Sequence, residues 1–228
     1  MRRSLPLDPV LASELSVRSV SNVPDVSTAG APIPRHRPGK TAILRAAIEV
    51  MGEDGYEGAS IRDMAARAGV SVAALYYHFP SKLDMLREFL DEAHEVTLAR
   101  LERRLAAADP SPPAQLDEAV GTLIATHLHD DFARRASNVA SREHTRLHGP
   151  ERAAVDDKRR RIRARVAAIV AAGVATGDFA VDDPDEAARA ILSLTWSLVD
   201  TFGEMGRTMP EVITLYQGYV RNLVGCAR

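Results

Sequence analysis

Four groups of residues carry types and spacings that could do chemistry. His127-Leu-His129-Asp130 and His144-Thr-Arg-Leu-His148 place imidazoles close together, and histidines at i, i+4 share a helix face as metal ligands do. The second pair lacks the glutamate of a zinc-hydrolase helix and no cysteine lies near, so the expectation is surface or capping histidines and no metal. Lys158, Arg159, Arg160, Arg161, Arg163 and Arg165 form a dense basic run in which Lys158, Arg161 and Arg165 share one face. It reads either as a solvated, snorkelling face or as a phosphate-binding rim at a pocket mouth. The segment 60–79, SIRDMAARAGVSVAALYYHF, puts Ser71, Tyr76, Tyr77 and His78 around the small residues Val72, Ala73 and Ala74. Small residues let a backbone approach a major-groove floor, while tyrosine and histidine reach phosphates. Trp196 lies in an almost wholly apolar stretch near the C-terminus. No nucleophile elbow, phosphate loop or paired-carboxylate arrangement stands out, so no catalytic residue, no enzyme and no cofactor are expected.

These groups need elements to position them. The period from Thr41 onward is that of helices, about 3.6 residues, and no alternating segment of convincing strand length appears. Ile43, Ala46, Ala47, Val50 and Met51 mark a half-buried first helix, stopped by the two glycines of EDGYEG. Ser60-Ile-Arg-Asp63 has a capping-box form, and Gly69 punctuates before a short helix from Ser71 to about His78. In the helix-turn-helix these two would make, Ile61, Met64, Ala65, Val70 and Leu75 face inward. The same pattern also fits two core helices of a bundle. After Pro80, Ser81 caps a long helix to about Ala107 carrying Leu83, Leu86, Leu90, Leu101 and Leu105. Helical patterns follow at about 113–129, 131–146, 151–176, 184–206 and 209–225. The expected fold is all-α, with about nine helices.

Composition is consistent with that. The chain has 228 residues, 46% apolar and 26% charged, with a net charge of −2, so any nucleic-acid signal must be local. One cysteine, Cys226, cannot form an internal disulfide and fits a reducing cytosol. The apolar run Val166 to Ala175 is about half of the roughly 20 residues that span a bilayer. No signal peptide is read, and a cytoplasmic protein with no membrane partner is expected. Residues 1–38 hold six of the 13 prolines and no helical period, which predicts a flexible tail. A misassigned start codon is the alternative. Arg35, Arg37 and Lys40 stand just before the first helix, where they could touch phosphates or the minor groove. The organisation expected is a tail (1–38), a small N-terminal unit with the helix-turn-helix (39–82), and a larger C-terminal helical bundle (83–228). Ile191, Leu192, Leu194, Trp196, Leu198, Val199 and Phe202 nearly encircle one helix. Val212, Leu215, Tyr216, Tyr219, Val220 and Leu223 stripe the next, which implies burial against both a core and a partner.

GVSVAALYYHFPSKLDML (69–86) and GYEGAS (55–60) resemble the recognition unit of the TetR family of transcriptional repressors, and the layout from 39 to 228 is similar to that family's. The resemblance implies a homodimer on a palindromic double-stranded operator, paired through its last two helices and released by a small-molecule effector. It implies that Val72, Ala73, Ala74, Tyr76, Tyr77 and His78 face DNA, and that Lys82 and Ser60 meet phosphates. Positions 72–74 carry no Gln, Asn or Arg, so base readout would rest on thymine methyls and DNA shape. Arg142 to Gly225, with Arg142-Glu143-x-x-Arg146-Leu147 and GVATGDF, also resembles a branch governing lipid, steroid and aromatic-acid catabolism. That implies an acyl-CoA effector, its acyl part near Trp196 and its phosphates near Arg142, Lys158, Arg161 or Arg165. Asp200-Thr-Phe-Gly203 departs from that branch. A drug-like or aromatic effector is the alternative, and an all-α enzyme or interaction module with a structural helix-turn-helix is the reading from a different class.

Overall fold

The computed structural model describes residues 39–226. The expected tail, with Arg35 and Arg37, lies outside the described residues. Among these residues the chain forms nine α-helices and no strand: α1 (Lys40–Gly58), α2 (Ile61–Ala68), α3 (Val72–His78), α4 (Lys82–Ala107), α5 (Pro112–Leu128), α6 (Asp131–Glu143), α7 (Gly149–Thr176), α8 (Pro184–Thr201) and α9 (Met209–Leu223). Short 3₁₀ turns, His144–Arg146 and Phe202–Glu204, complete the stretches that the sequence pattern assigns to the ends of α6 and α8.

Local chemistry sets most of the helix starts. The hydroxyl of Ser81 accepts from the Asp84 amide at 3.1 Å and the Asp130 carboxylate from the Ala133 amide at 2.7 Å. Asp183 accepts from the amides of both Asp185 and Glu186 at 3.0 Å, with Pro184 in the first turn. Thr208 and Glu211 form a reciprocal capping box. One expectation is corrected here. EDGYEG kinks the first helix rather than stopping it, because Gly55 takes a left-handed φ of 71° and the chain then winds on to Gly58. Leu83 is also corrected, being largely exposed, whereas Leu86, Leu90, Leu101 and Leu105 of the same helix are buried.

The interior divides along α4. Its N-terminal half, through Leu90, packs with α1, α2 and α3 and with Val139, Ala140, Leu147 and Val155 from α6, α7 and the turn between them. Its C-terminal half, from Leu98, joins α5, the later part of α7, α8 and α9. The DNA-binding unit expected at 39–82 therefore completes its core with residues from beyond 82. Packing is tight at the bundle's far end, where Phe179 lies against Gly173 so closely that an added Cβ would sit 2.0 Å from the ring.

Candidate nucleic-acid interface and effector cavity

Helices α2 and α3 form the helix-turn-helix. Gly69 ends α2 in the left-handed conformation, φ 67°, and its amide and that of Val70 bond back to Ala66 and Ala65 at 3.1 and 2.9 Å. Ser71 then caps α3, accepting from the Ala74 amide at 3.1 Å. Met64, Ala65 and Leu75 are buried, and Ile61 and Val70 pack at the edge of the same core. The opposite face is open: Val72, Tyr76 and Tyr77 are 37%, 48% and 85% exposed, Ala73 is exposed, and Ala74 and His78 are partly so. Tyr77 and His78 meet edge-to-face with ring centroids 5.3 Å apart. This arrangement offers apolar contact from 72–74 flanked by hydroxyl and imidazole groups suited to a phosphate backbone.

Other residues expected on DNA are already engaged. The Lys82 ammonium does not project outward. It donates to the carbonyls of Tyr56 and Ala59, the latter at 3.1 Å, and sits 4.4 Å from the centre of the Tyr56 ring. It thereby neutralises the carbonyl end of α1, where a cation is favourable. The Ser60 hydroxyl is held by Asp63, donating to its carboxylate at 2.5 Å and accepting from its amide at 3.1 Å. Lys40 pairs with Glu88 at 2.6 Å. A second guanidinium, Arg146, lies 4.5 Å from the Tyr56 ring and pairs with Glu57 at 2.5 Å and with Glu143. Burial raises the Tyr56 hydroxyl above the ordinary phenol range, against the opposing pull of Arg146. The end of α1 is thus clamped between α4 and the turn after α6, a link that sequence spacing does not display.

Between this unit and the bundle lies a cavity of about 170 Å³. Its wall is shared: Thr41, Leu44, Arg45 and Ile48 come from α1, while α4, α5, α6, α7 and α8 supply the rest, including Phe89, Leu123, Phe132, Ile162 and Trp196. Arg45 stacks over Phe132 at 4.0 Å, joining α1 to α6 across the rim. His94 and His127 line the cavity and are buried, as is Ser137. Burial holds both imidazoles neutral, pushing His94 below the usual histidine range and His127 down to about 4. Trp196 meets the His127 ring edge-on, with centroids 4.4 Å apart.

Several expectations change at this point. His127 is no surface or capping group; it is a cavity wall, because α5 is enclosed by its neighbours and nearly every residue from Thr122 to Leu128 is buried. His129 lines the same cavity and pairs with Asp130 at 3.1 Å. Of the five residues proposed to hold an effector, Trp196 alone lies in the lining. Lys158 is drawn to Asp91 and Glu95 of α4 at 2.7 and 3.2 Å, and Arg142 to Asp200 at 3.3 Å. Arg161 and Arg165 are on α7 outside the lining. Among the described residues no group of His, Cys, Asp and Glu converges as a metal site, and no helix is long and apolar enough to cross a membrane.

Residues 43–89 match the profile of bacterial regulatory proteins of the tetR family, and residues 109–223 match that of the tetracyclin repressor-like C-terminal domain. The chain belongs to the TetR family of bacterial transcriptional regulators. Among curated relatives, the transcriptional regulator CymR of Pseudomonas putida is 33% identical over 91 residues, which are 40% of this chain and 44% of that protein. The match therefore spans under half of that relative. The transcriptional repressor KstR2 of Mycolicibacterium smegmatis is 28% identical over 183 residues, 75% of this chain and 82% of that protein. Among solved structures, a tetR-family regulatory protein from Rhodococcus RHA1 superposes with a TM-score of 0.76 at 29% identity, covering 83% of this chain and 98% of its own. AibR, solved with isovaleryl coenzyme A and operator DNA, shares the fold with a TM-score of 0.72 at 22% identity, covering 82% and 99%.

Proposed function

We propose that this TetR-family regulator is a homodimeric repressor that occupies a palindromic operator and leaves it when a small molecule fills the cavity. It acts in the cytoplasm, on DNA, without catalysis. Residues 39–82 are the DNA-binding unit and 83–228 the effector and dimer unit. The observation that carries this reading is the shared cavity wall: α1 packs on α2, shares a buried core with α3 and also lines the space between them and the bundle. A ligand that prefers a wider cavity must move α1 and with it the reading head, so effector and operator oppose one another by the same coupling factor. Val72, Ala73, Tyr76, Tyr77 and His78 are the proposed DNA contacts. Partly exposed apolar residues of α8 and α9, among them Leu194, Leu215, Tyr216 and Tyr219, are the proposed dimer face.

Two effector classes fit. An acyl-CoA, its acyl group beside Trp196, is supported by the fold neighbour AibR, which was solved with isovaleryl coenzyme A. A free, uncharged small molecule is favoured by the position of the cations, since Arg142, Lys158, Arg161 and Arg165 all lie outside the lining and its one arginine, Arg45, is exposed to solvent and stacked on Phe132. The test is operator release, measured on a duplex selected by the purified protein and titrated with acyl-CoAs, free acids and neutral ring compounds. Release by a member of either class supports the regulatory reading and chooses between effectors. Retention with every compound while the cavity is demonstrably filled overturns it.

A further inference from the structure

The cavity has an unusual balance of hydrogen-bonding groups. His94 Nδ1 lies 2.6 Å from the carbonyl of Leu90. A carbonyl only accepts, so Nδ1 carries the proton, and in the neutral ring Nε2 is a bare acceptor. No other described residue bonds to His94, which lines the cavity at 6% exposure. Three buried lining hydroxyls have used their protons within their own helices: Thr97 donates to Ala93, Thr126 to Thr122 and Thr195 to Leu192, at 2.8, 2.8 and 3.0 Å. What each leaves for a ligand is an oxygen lone pair. His127 differs, because its Nδ1 faces the Ser137 hydroxyl at 3.0 Å, and that hydroxyl either donates or accepts. When Ser137 donates, His127 carries its proton on Nε2. The two charged residues of the lining, Arg45 and Glu92, are exposed to solvent. Arg100 touches Thr126 at 3.5 Å and is itself outside the lining.

The buried part of the wall, acceptor-rich and without a charged residue, selects a ligand that brings a proton. We propose that the effector is an uncharged alcohol on a small apolar ring or branched chain, its hydroxyl donating to His94 Nε2 and accepting from His127 Nε2. This rests on the reading of the cavity as the effector site and names the chemistry it recognises. Size agrees. A cavity of roughly 150 Å³ holds benzene, so about 170 Å³ holds one six-membered ring with a small substituent. A carboxylate or thioester carbonyl could accept from His127 but brings no proton to His94 Nε2 or to the threonine oxygens. The one carboxylate of the lining, Glu92, is exposed to solvent, so an ammonium among the buried groups would go unpaired, and burying an unpaired charge is costly.

Trp196 is the protein's one tryptophan, lines the cavity and meets the His127 ring edge-on, so its fluorescence reports filling of the cavity directly. The full-length protein is titrated with 4-methylcyclohexanol, 4-methylcyclohexanone, 4-methylcyclohexanecarboxylate and 4-methylcyclohexylammonium, and operator release is followed in parallel. The alcohol should bind about tenfold tighter than the ketone, the yield of one buried hydrogen bond. His94→Leu should bring alcohol and ketone within about twofold while ketone binding persists. His94→Gln, which restores an acceptor, should recover the preference. Equal or tighter binding of the ketone, carboxylate or ammonium overturns the proposal, as does an alcohol preference undiminished in His94→Leu. Tight alcohol binding without operator release keeps the hydroxyl site and overturns the regulatory reading instead. No fluorescence response to any probe overturns both.

Discussion

Lys82 distinguishes a phosphate contact from a structural staple. Its ammonium donates to the carbonyls of Tyr56 and Ala59, lies 3.5 Å from that of Glu57 and stands over the Tyr56 ring. Hydrogen bonds to a charged group contribute about 1.5–3 kcal/mol each. Two such bonds at a half-exposed position, discounted for solvent screening, put the cost of Lys82→Ala at about 2 kcal/mol. A domain of this size loses about 2–4 °C of Tm per kcal/mol, so the variant should melt about 4–8 °C lower. Lys82→Met keeps the stem and loses the charge, and should recover only a small part of this. Operator affinity at temperatures where the variant is folded should keep its salt dependence, because no counterion is released by an amine bonded to carbonyls. Calorimetry and binding isotherms across a salt series measure the two quantities separately. An unchanged Tm with a salt slope shallower by about one unit would place the ammonium on a phosphate and refute the staple.

Further outcomes follow from the same structure. Tyr77→Ala should weaken operator binding by about two- to tenfold, the worth of one hydrogen bond, with Tm unchanged, since the ring is 85% exposed. Leu215→Glu should weaken the dimer by about 100-fold or more, because an unpaired charge would be buried twice in a two-fold interface; sedimentation measures it. Gly173→Ala should cost about 1–3 kcal/mol in urea unfolding through displacement of the buried Phe179 ring. His127 titrates at about 4 when folded and near 6.5 when unfolded. The unfolded state then binds the extra proton below pH 6.5, so stability is full at pH 7 and falls towards pH 4, by about 2 kcal/mol at pH 5. His94 adds in the same direction. His127→Gln should flatten that pH dependence, and an equally steep curve in the variant would show that folding does not lower the His127 pKa.

What the amino-acid sequence discloses is what local chemistry decides. The turn at Gly69, the serine caps of α2 and α3, Pro184 after its aspartate and the Thr208–Glu211 box are each written within a few residues, and the helices start where those signals stand. The outward face of α3 follows from the same short-range period. The cavity is different, because six helices contribute to its wall and no spacing links them. The basic run of α7 looks like a phosphate rim only while the acidic residues opposite are unknown; Asp91 and Glu95 of α4 take Lys158. The family resemblance puts Lys82 on a phosphate, yet the kink at Gly55 brings the carbonyl end of α1 to it. His94 did carry a readable sign. It lies four residues from both Leu90 and Leu98 on the buried face of a long helix, where a solvated histidine does not belong.

The most direct test of the account is footprinting of the protein on an operator selected from random duplex DNA, with and without a saturating alcohol effector. The account predicts one dimer protecting two symmetric half-sites whose centres are about one helical turn, roughly 34–36 Å, or a multiple apart. Val72 or Ala73 substitutions should shift the sequence preference, and the effector should erase the protection. No enriched sequence, or protection by a monomer that substitutions on α3 leave untouched, would contradict it.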